Sequence, residues 1–207
     1  CRVKSGKVCA IGHGIDVGRF LCERGNGIGE PIRLLYAGKV TPIKNVHILV
    51  DAARILSAEG GSASGGKETW NKKFLVDIVG PPTTPEYDRK LRAYIAEKDL
   101  SDVVKMHGRI AYNDMPVHYA RADAVINMCP TGGMDKTVLE GLASRTLAVV
   151  ANEAFRELFG EYADALIYRY QNAEELAEKI KTFYNKNNDE LERMREMLHE
   201  SMNAHSS

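Results

Sequence analysis

The chain has 207 residues, of which 44% are hydrophobic and 27% are charged, a composition typical of a globular protein with one large domain or two small ones. Its 28 basic and 28 acidic side chains balance, which argues against nucleic acid or an acidic membrane as an electrostatic partner. No apolar run approaches the roughly 18 residues that a membrane-spanning helix needs, so no transmembrane segment is predicted.

Short β-branched runs alternate with longer amphipathic runs along the chain. The runs with strand character lie at 7–12, 33–39, 74–80, 103–108, 124–129, 147–151 and 165–168. The runs with helix character lie at 45–58, 86–97, 114–120, 136–143, 153–158 and 173–185. Such alternation is typical of βαβ units with helices on both faces of a sheet. We therefore predict an α/β fold, a Rossmann-like three-layer sandwich with a mostly parallel sheet, in one domain over 1–207.

Two segments fall outside the alternation. The segment 60–66 contains only Gly, Ser and Ala, and we expect a flexible surface loop there. The polar segment 187–207 predicts a terminal helix and tail, packed through a stripe of Leu191, Met194 and Leu198 and frayed at its end.

The four cysteines, Cys1, Cys9, Cys22 and Cys129, have no metal-ligand spacing. This favours a reducing cytoplasm over a disulfide scaffold; for the full-length protein, the inner face of a membrane is the alternative location. The chain begins Cys-Arg-Val-Lys without an initiator Met, and we expect it to be a piece of a longer protein.

The glycines after the first predicted strand superficially match a dinucleotide-binding fingerprint, with His13 among them. That fingerprint requires a helix to follow, but the next residues include three glycines and Pro31, which disfavour one. It also places Asp16 where a pyrophosphate would lie. We therefore expect no nicotinamide site here, and a structural role for His13.

The next strand runs into a cationic turn. Gly38 permits a tight turn, and Lys39 and Lys44 flank Pro42, which suits the first turn of a helix. Two lysines at such a turn can neutralise two phosphates. A pair of solvated surface lysines explains this segment equally well.

A second strand-to-helix turn follows the run 124–129. The backbone amides of Met134, Asp135, Lys136 and Thr137 are free to donate at a helix start, which makes an anion site. Glu140 lies one helical turn beyond Lys136, where it can accept from ligand hydroxyls. The alternative is a Lys–Glu surface pair worth a few tenths of a kcal/mol. Asp135 stabilises a helix start but would repel phosphates.

A third candidate is the end of the strand at 103–108. Arg109 follows it at the carboxyl edge of the sheet, where open α/β folds bind ligands. Arg109 can meet a phosphate or a carboxylate, and the backbone of Ile110 can pair with the edge of a base.

These segments also carry a family resemblance. The pieces are Val-Cys-Ala-Ile-Gly-His-Gly-Ile-Asp (8–16) with Phe20, Leu-Tyr-Ala-Gly-Lys-Val-Thr-Pro-Ile-Lys-Asn (35–45), Asp-Ile-Val-Gly-Pro (77–81), Met-His-Gly-Arg-Ile (106–110), Tyr-Ala-Arg-Ala-Asp-Ala-Val-Ile (119–126), Val-Leu-Glu-Gly-Leu-Ala (138–143) and Ala-Val-Val-Ala-Asn-Glu (148–153). In this order they resemble the carboxyl-terminal, donor-binding half of the retaining glycosyltransferases of family four, which have the GT-B fold.

The resemblance implies roles for individual residues. In that family, residues matching Lys39 and Lys44 hold the diphosphate of a nucleotide-sugar donor, and the second Glu of a paired-Glu signature, here Glu140, commonly holds the ribose. The first Glu, which normally touches the sugar, is replaced by Gly132. The run 132–136 is similar to a variant with Asp-Lys in the turn. The family needs no metal.

The resemblance therefore implies a hexosyltransferase that moves a sugar from a nucleoside-diphosphate sugar to an unknown acceptor, without a cofactor or a metal. Lys39, Lys44 and Glu140 are the expected catalytic residues. The expected donor-binding residues are Gly38, Arg109, Ile110, Met134, Asp135, Lys136 and Thr137.

The acceptor would be a glycan, a lipid-linked sugar or a small molecule, bound with the missing amino-terminal domain, so the fragment alone should bind a nucleotide and transfer nothing. Two alternatives remain: a degenerate nucleotide-binding or regulatory module, and a GT-B sugar-nucleotide epimerase.

Overall fold

The structure, a computed structural model, describes residues 15–21, 31–59 and 73–206. Its strands are β1 (Ile32–Ala37), β2 (Phe74–Val79), β3 (Val104–Gly108), β4 (Ala124–Asn127) and β5 (Leu147–Val150). All neighbouring strands pair in parallel, in the order β3-β2-β1-β4-β5. The predicted α/β fold with a parallel sheet is therefore confirmed.

Helices and 3-10 turns connect the strands in the described ranges. The helices are α1 (Val17–Phe20), α2 (Val46–Glu59), α3 (Pro85–Glu97), α4 (Met115–Arg121), α5 (Lys136–Ala143), α6 (Arg156–Phe159), α7 (Ala163–Leu166), α8 (Ala173–Tyr184) and α9 (Asn188–Ser206). The 3-10 turns are Pro42–Lys44, Tyr112–Asp114, Glu153–Phe155 and Gly160–Tyr162. Helix α8 packs on α2, whereas α5 packs with α1, α4 and α9. Right-handed crossovers put α2 and α3 on one face of the sheet and α4 and α5 on the other.

The strand order positions the site. From β1 the chain moves outward through β2 to β3, and it then returns to the other side of β1 to form β4 and β5. The connections that leave β1 and β4 therefore diverge, and a crevice opens between the carboxyl ends of these two strands, where open α/β sheets bind ligands. The pairing of Leu34 with Ala124 and of Leu35 with Val125 fixes their register.

Burial follows strand position. β4 and β5 are buried along their whole length, as parallel strands covered on both faces should be. β3 lies at the sheet edge and exposes Lys105 and His107. A lysine on an edge strand discourages pairing with another chain.

The predicted elements correspond closely to the observed ones, with two exceptions. The predicted strand at 165–168 is wrong, because α7 ends at Leu166 and only Ile167 forms an isolated bridge, with Val150. The Ile167 amide donates to the Ala163 carbonyl at 2.8 Å, which closes a helical turn; a short apolar run does not distinguish a strand from a buried turn of helix. The short helix α1 follows the first glycine motif, where no helix was expected.

The terminal helix is confirmed as α9. Its stripe of Leu191, Met194 and Leu198 is buried, and α9 packs on α5 and α6. None of the helices in the described ranges is both long enough and apolar enough to span a membrane. The predicted strand at 7–12, the loop at 60–66 and the positions of His13, Cys1, Cys9 and Cys22 lie outside the described residues.

Candidate functional site

Two glycines let the loops at the carboxyl edge of the sheet approach closely. Gly38 follows β1 and Gly80 follows β2, with φ angles of 147° and 140°. The Gly38 amide donates to the Val79 carbonyl at 2.9 Å, and the Gly80 amide donates to the Gly108 carbonyl at 2.8 Å. A Cβ on Gly80 would collide with the Gly38 carbonyl oxygen. The edge where the predicted site lies can therefore form only without a side chain at position 80.

The turn after β1, with Lys39 and Lys44, lies next to the turn after β4, with Asp135. The Lys44 ammonium is 3.3 Å from the Asp135 carboxylate, although the two residues are 91 positions apart in the chain. Their side chains are 30% and 32% exposed, so this ion pair is partly desolvated but remains open to solvent. Lys44 is therefore a partly exposed lysine with an ionic partner rather than a fully solvated one. The contact crosses the crevice between β1 and β4.

Asn127, which the sequence analysis missed, also contacts Asp135. The Asn127 side-chain amide donates to Asp135 at 2.7 Å, and its oxygen accepts from the Cys129 amide at 3.0 Å. Asn127 is buried and is the last residue of β4. The available sequence signal was an amide side chain at the carboxyl end of an otherwise apolar strand.

Asp135 does not cap the helix that it precedes. It occupies the N-cap position of α5, but its side chain makes no capping hydrogen bond because it turns to Lys44 and Asn127. The first amides of α5 therefore keep their capacity to bind an anion. Lys136 is exposed beside them, and Thr137 is half-buried.

The preceding turn is held by Asn152, which follows β5. The Asn152 side-chain amide lies 3.4 Å from the Gly132 carbonyl and 3.3 Å from the Gly133 carbonyl. Met134 is partly buried and packs against the core. The turn that carries the predicted site residues is therefore held by Asn152 at its glycines and by the core at Met134.

Lys39 differs from Lys44. Its side chain is exposed and makes no ion pair with another described residue, while its carbonyl accepts a 2.7 Å hydrogen bond from the Tyr36 hydroxyl. Burial, together with the negative charge of Asp135, raises the pKa of Tyr36 above its usual value. Tyr36 therefore remains a neutral donor that fixes the backbone of Lys39, and the Lys39 side chain is free to reach a ligand.

Glu140 is neither on the surface nor paired with Lys136. It is 6% exposed, and its two carboxylate oxygens accept from the hydroxyls of Tyr119, at 2.8 Å, and Tyr112, at 3.3 Å. Burial raises the pKa of Glu140, while the two tyrosyl hydrogen bonds and the charge of Lys136 partly offset that rise. The alternative of a Lys136–Glu140 surface pair is therefore wrong.

The neighbour of Glu140 explains its fixed position. A Cβ on Gly141 would lie 2.6 Å from a methyl group of Val125, so α5 packs directly against β4. Around the carboxylate, the Phe20 ring contacts the Tyr112 and Tyr119 rings edge-on at centroid distances of 5.9 and 5.8 Å. We refer to Phe20, Tyr112, Tyr119 and Glu140 as the tyrosine cluster. Its tyrosines carry no role in the sequence analysis.

Arg109 and Ile110 follow β3, which is separated from β1 by β2 in the sheet. Arg109 is exposed, and Ile110 is partly buried against the core. They follow β3 at the carboxyl edge, and the chain then continues through the turn Tyr112–Asp114 toward Glu140. Among the described residues, no group of three or more His, Cys, Asp or Glu side chains is arranged to hold a metal ion.

The doubly wound parallel sheet, with polar side chains at its switch point, defines the class of Rossmann-like α/β domains. The sequence then identifies the family. Residues 23–200 match the family described as "Glycosyl transferases group 1", and the chain belongs to that family. The predicted resemblance to this glycosyltransferase family is thereby confirmed.

The curated relatives that the chain matches are named as glycosyltransferases. The putative colanic acid biosynthesis glycosyltransferase WcaL of Salmonella typhimurium is 23% identical over 90% of this chain and 44% of its own length. The D-inositol 3-phosphate glycosyltransferase of Kineococcus radiotolerans is 27% identical over 70% of this chain and 34% of its own length. The chain thus spans less than half the length of these relatives.

Solved structures share the fold. The C-terminal domain of a glycosyl transferase group 1 family protein, LpcC from Francisella tularensis, aligns over 92% of this chain and 97% of its own, with a TM-score of 0.74 and 15% identity. Anabaena Alr3699/HepE in complex with UDP and glucose aligns over 92% of this chain and 50% of its own, with a TM-score of 0.73 and 18% identity.

Proposed function

We propose that this chain is the donor-binding domain of a glycosyltransferase that transfers a sugar from a nucleoside-diphosphate sugar to an acceptor, with retention of configuration and without a metal. The observation that carries the proposal is the meeting of Lys44 with the start of α5 across the crevice. HepE, which shares the fold, binds UDP and glucose. Retention rests on the family resemblance alone.

The chemistry required at this corner is electrostatic. When the bond between sugar and diphosphate breaks, negative charge develops on the departing diphosphate. Lys44, the exposed Lys39 and the uncapped amides of α5 are the groups that would stabilise this charge. They supply the positive charge that a bound metal ion would otherwise provide.

Asp135 makes ligand binding an exchange of anions. In the structure, Lys44 is neutralised by Asp135, so a diphosphate must replace or share this carboxylate. Asn127 also donates to Asp135, which gives the carboxylate a partner after Lys44 turns to a phosphate. The acceptor site, and the amino-terminal domain that would supply it, belong to the whole protein and are part of this proposal. A cytoplasmic location likewise remains a prediction from the cysteine content.

A second candidate is a nucleotide-binding or regulatory module without transferase activity. Two observations favour it: Gly132 stands where the family's first Glu is expected, and Lys44 already has an anionic partner. This candidate retains the crevice but requires no sugar transfer. An epimerase would need catalytic acids that are free to react, and Asp135 and Glu140 are both engaged with side-chain partners.

The test is a calorimetric titration of the 207-residue chain with UDP, GDP and inorganic pyrophosphate. We expect binding that Lys44→Ala weakens by about 1–3 kcal/mol, as loss of a charged hydrogen bond should. Lys186→Ala is the matched control, because Lys186 is 28% exposed and lies 3.9 Å from Glu190 between α8 and α9. Unchanged affinity in Lys44→Ala would remove Lys44 from the site. No binding of any probe at millimolar concentration would contradict the donor-binding proposal.

A further inference from the structure

The two hydroxyls on Glu140 differ in how firmly they are held. Tyr119 is fully buried, its ring packs on Phe20, and its carbonyl accepts a 2.6 Å hydrogen bond from the Thr146 hydroxyl. Tyr112 is 49% exposed, and its hydroxyl lies 3.3 Å from Glu140, against 2.8 Å for Tyr119. One oxygen of Glu140 is therefore bound by a fixed donor and the other by a donor that can move into solvent.

The Tyr112 side chain is held weakly, as a side chain that a ligand displaces must be. Tyr112 begins a 3-10 turn whose N-cap residue, Ala111, makes no side-chain capping bond. Its ring is held by the edge of Phe20 and by the Arg19 guanidinium, which lies 5.0 Å from the ring centroid. The turn itself is exposed, so among the described residues no packing partner holds the side of Tyr112 that faces solvent.

The carboxylate constrains what can replace Tyr112. A buried carboxylate that loses a donor keeps its desolvation cost, so the incoming group must itself donate a hydrogen bond. A phosphate oxygen would be repelled by Glu140, whereas a hydroxyl matches the hydroxyl that leaves. A sugar diol, such as that of ribose, supplies this chemistry next to a diphosphate held at Lys44.

We propose that Tyr112 occupies the position on Glu140 that a ligand hydroxyl takes, and that nucleotide binding displaces Tyr112 while Tyr119 holds Glu140 in place. This inference rests on the proposed donor-binding function. Tyr112 competes with the ribose for Glu140, and Tyr119 acts as a positioning residue. The competition lowers the affinity for a nucleotide with an intact diol and leaves the affinity for a free phosphate unchanged, because only the diol must displace Tyr112.

The test measures affinities of the 207-residue chain for three probes: the tighter-binding of UDP and GDP, its 2′,3′-dideoxy analogue, and pyrophosphate. Tyr112→Phe removes the competing hydroxyl and keeps the ring on Phe20. We expect this variant to bind the ribonucleotide about fivefold more tightly, because the unbound state has lost one hydrogen bond. Affinities for the dideoxy analogue and for pyrophosphate should not change.

Tyr94→Phe is the matched control, because the Tyr94 hydroxyl also donates to a carboxylate, that of Asp51, but between α3 and α2. It should leave all three affinities at their wild-type values. A second readout is the ¹³C signal of the tyrosine Cζ atoms. The signal that is lost in Tyr112→Phe should shift when the ribonucleotide is added and remain still with pyrophosphate.

Two kinds of failure can be told apart. If the ribonucleotide binds and Lys44→Ala weakens it, but Tyr112→Phe leaves its affinity unchanged or lowers it, the inference on Tyr112 is wrong and the proposed function stands. The inference on Tyr112 is also wrong if Tyr112→Phe strengthens pyrophosphate binding equally. If neither UDP nor GDP binds the wild-type chain, both proposals are overturned.

Discussion

Asp135 and Glu140 belong to the same strand-to-helix segment, yet they lie in opposite surroundings. Asp135 is half-exposed and is neutralised by an ammonium group and an amide. Glu140 is buried and is satisfied by two tyrosyl hydroxyls. A carboxylate paired with a cation competes with other anions for that cation. A carboxylate held by hydroxyls is suited to receive another hydroxyl. Under the proposed function, a phosphate would bind at Lys44, next to Asp135, and a sugar hydroxyl would bind at Glu140.

The surroundings of Asp135 and Glu140 both depend on the close approach of the loops at the carboxyl edge of the sheet. Gly80→Ala should disrupt this approach, and it is the substitution with the largest expected effect. The added Cβ meets the Gly38 carbonyl oxygen at a φ of 140°, so we expect the free energy of unfolding to fall by about 3 kcal/mol from overpacking and backbone strain. Urea denaturation measures this. Gly160→Ala is the control, since its φ is also positive but its Cβ would meet nothing within 4 Å. Equal losses in the two variants would show that the close approach does not matter.

Asp135→Asn tests whether the Asp135 carboxylate competes with a phosphate for Lys44. The substitution removes the anion that competes for Lys44 and keeps the approximate shape of the side chain. We expect pyrophosphate and nucleotide binding to strengthen by about 1 kcal/mol at low ionic strength, and the gain to shrink as salt screens the charges. Calorimetry at two salt concentrations measures this. Weaker binding would instead assign Asp135 a direct contact with the ligand.

The smallest expected effect is the pH dependence that Glu140 contributes to stability. Burial raises the pKa of Glu140 above its ordinary value of 4.5, so between these two values the folded state binds more protons than the unfolded state. This contribution to stability therefore falls as the pH rises from 4.5 through the raised pKa, and stays low above it. Glu140→Gln should lose this slope.

Denaturation curves at a series of pH values measure the slope. Glu157→Gln, at an exposed position on α6, controls for the chemical change itself. A wild-type stability that rises with pH relative to Glu140→Gln over this range would contradict the burial argument.

Local pattern was informative where neighbouring residues act together. The helix predicted at 136–143 has the observed bounds of α5, because a glycine-rich turn and an amphipathic run both mark its start. The strand at 165–168 was mispredicted, because a run of four residues is too short for its periodicity to distinguish a strand from a buried helical turn. Only Ile167 forms a bridge there. The sequence also placed Lys44 and Asp135 on turns that each follow a strand, and the carboxyl ends of parallel strands meet at one edge of a sheet.

Residue types at short, regular spacing were enough to predict the parallel sheet, the family and the two turns that bear the charges. The contacts of Asn127 with Asp135, and of Tyr112 and Tyr119 with Glu140, could be read only from the folded chain. The physical reason is that hydroxyls and amides gain their partners from strand order and helix packing. Residues far apart in the chain then meet at distances that no local pattern specifies.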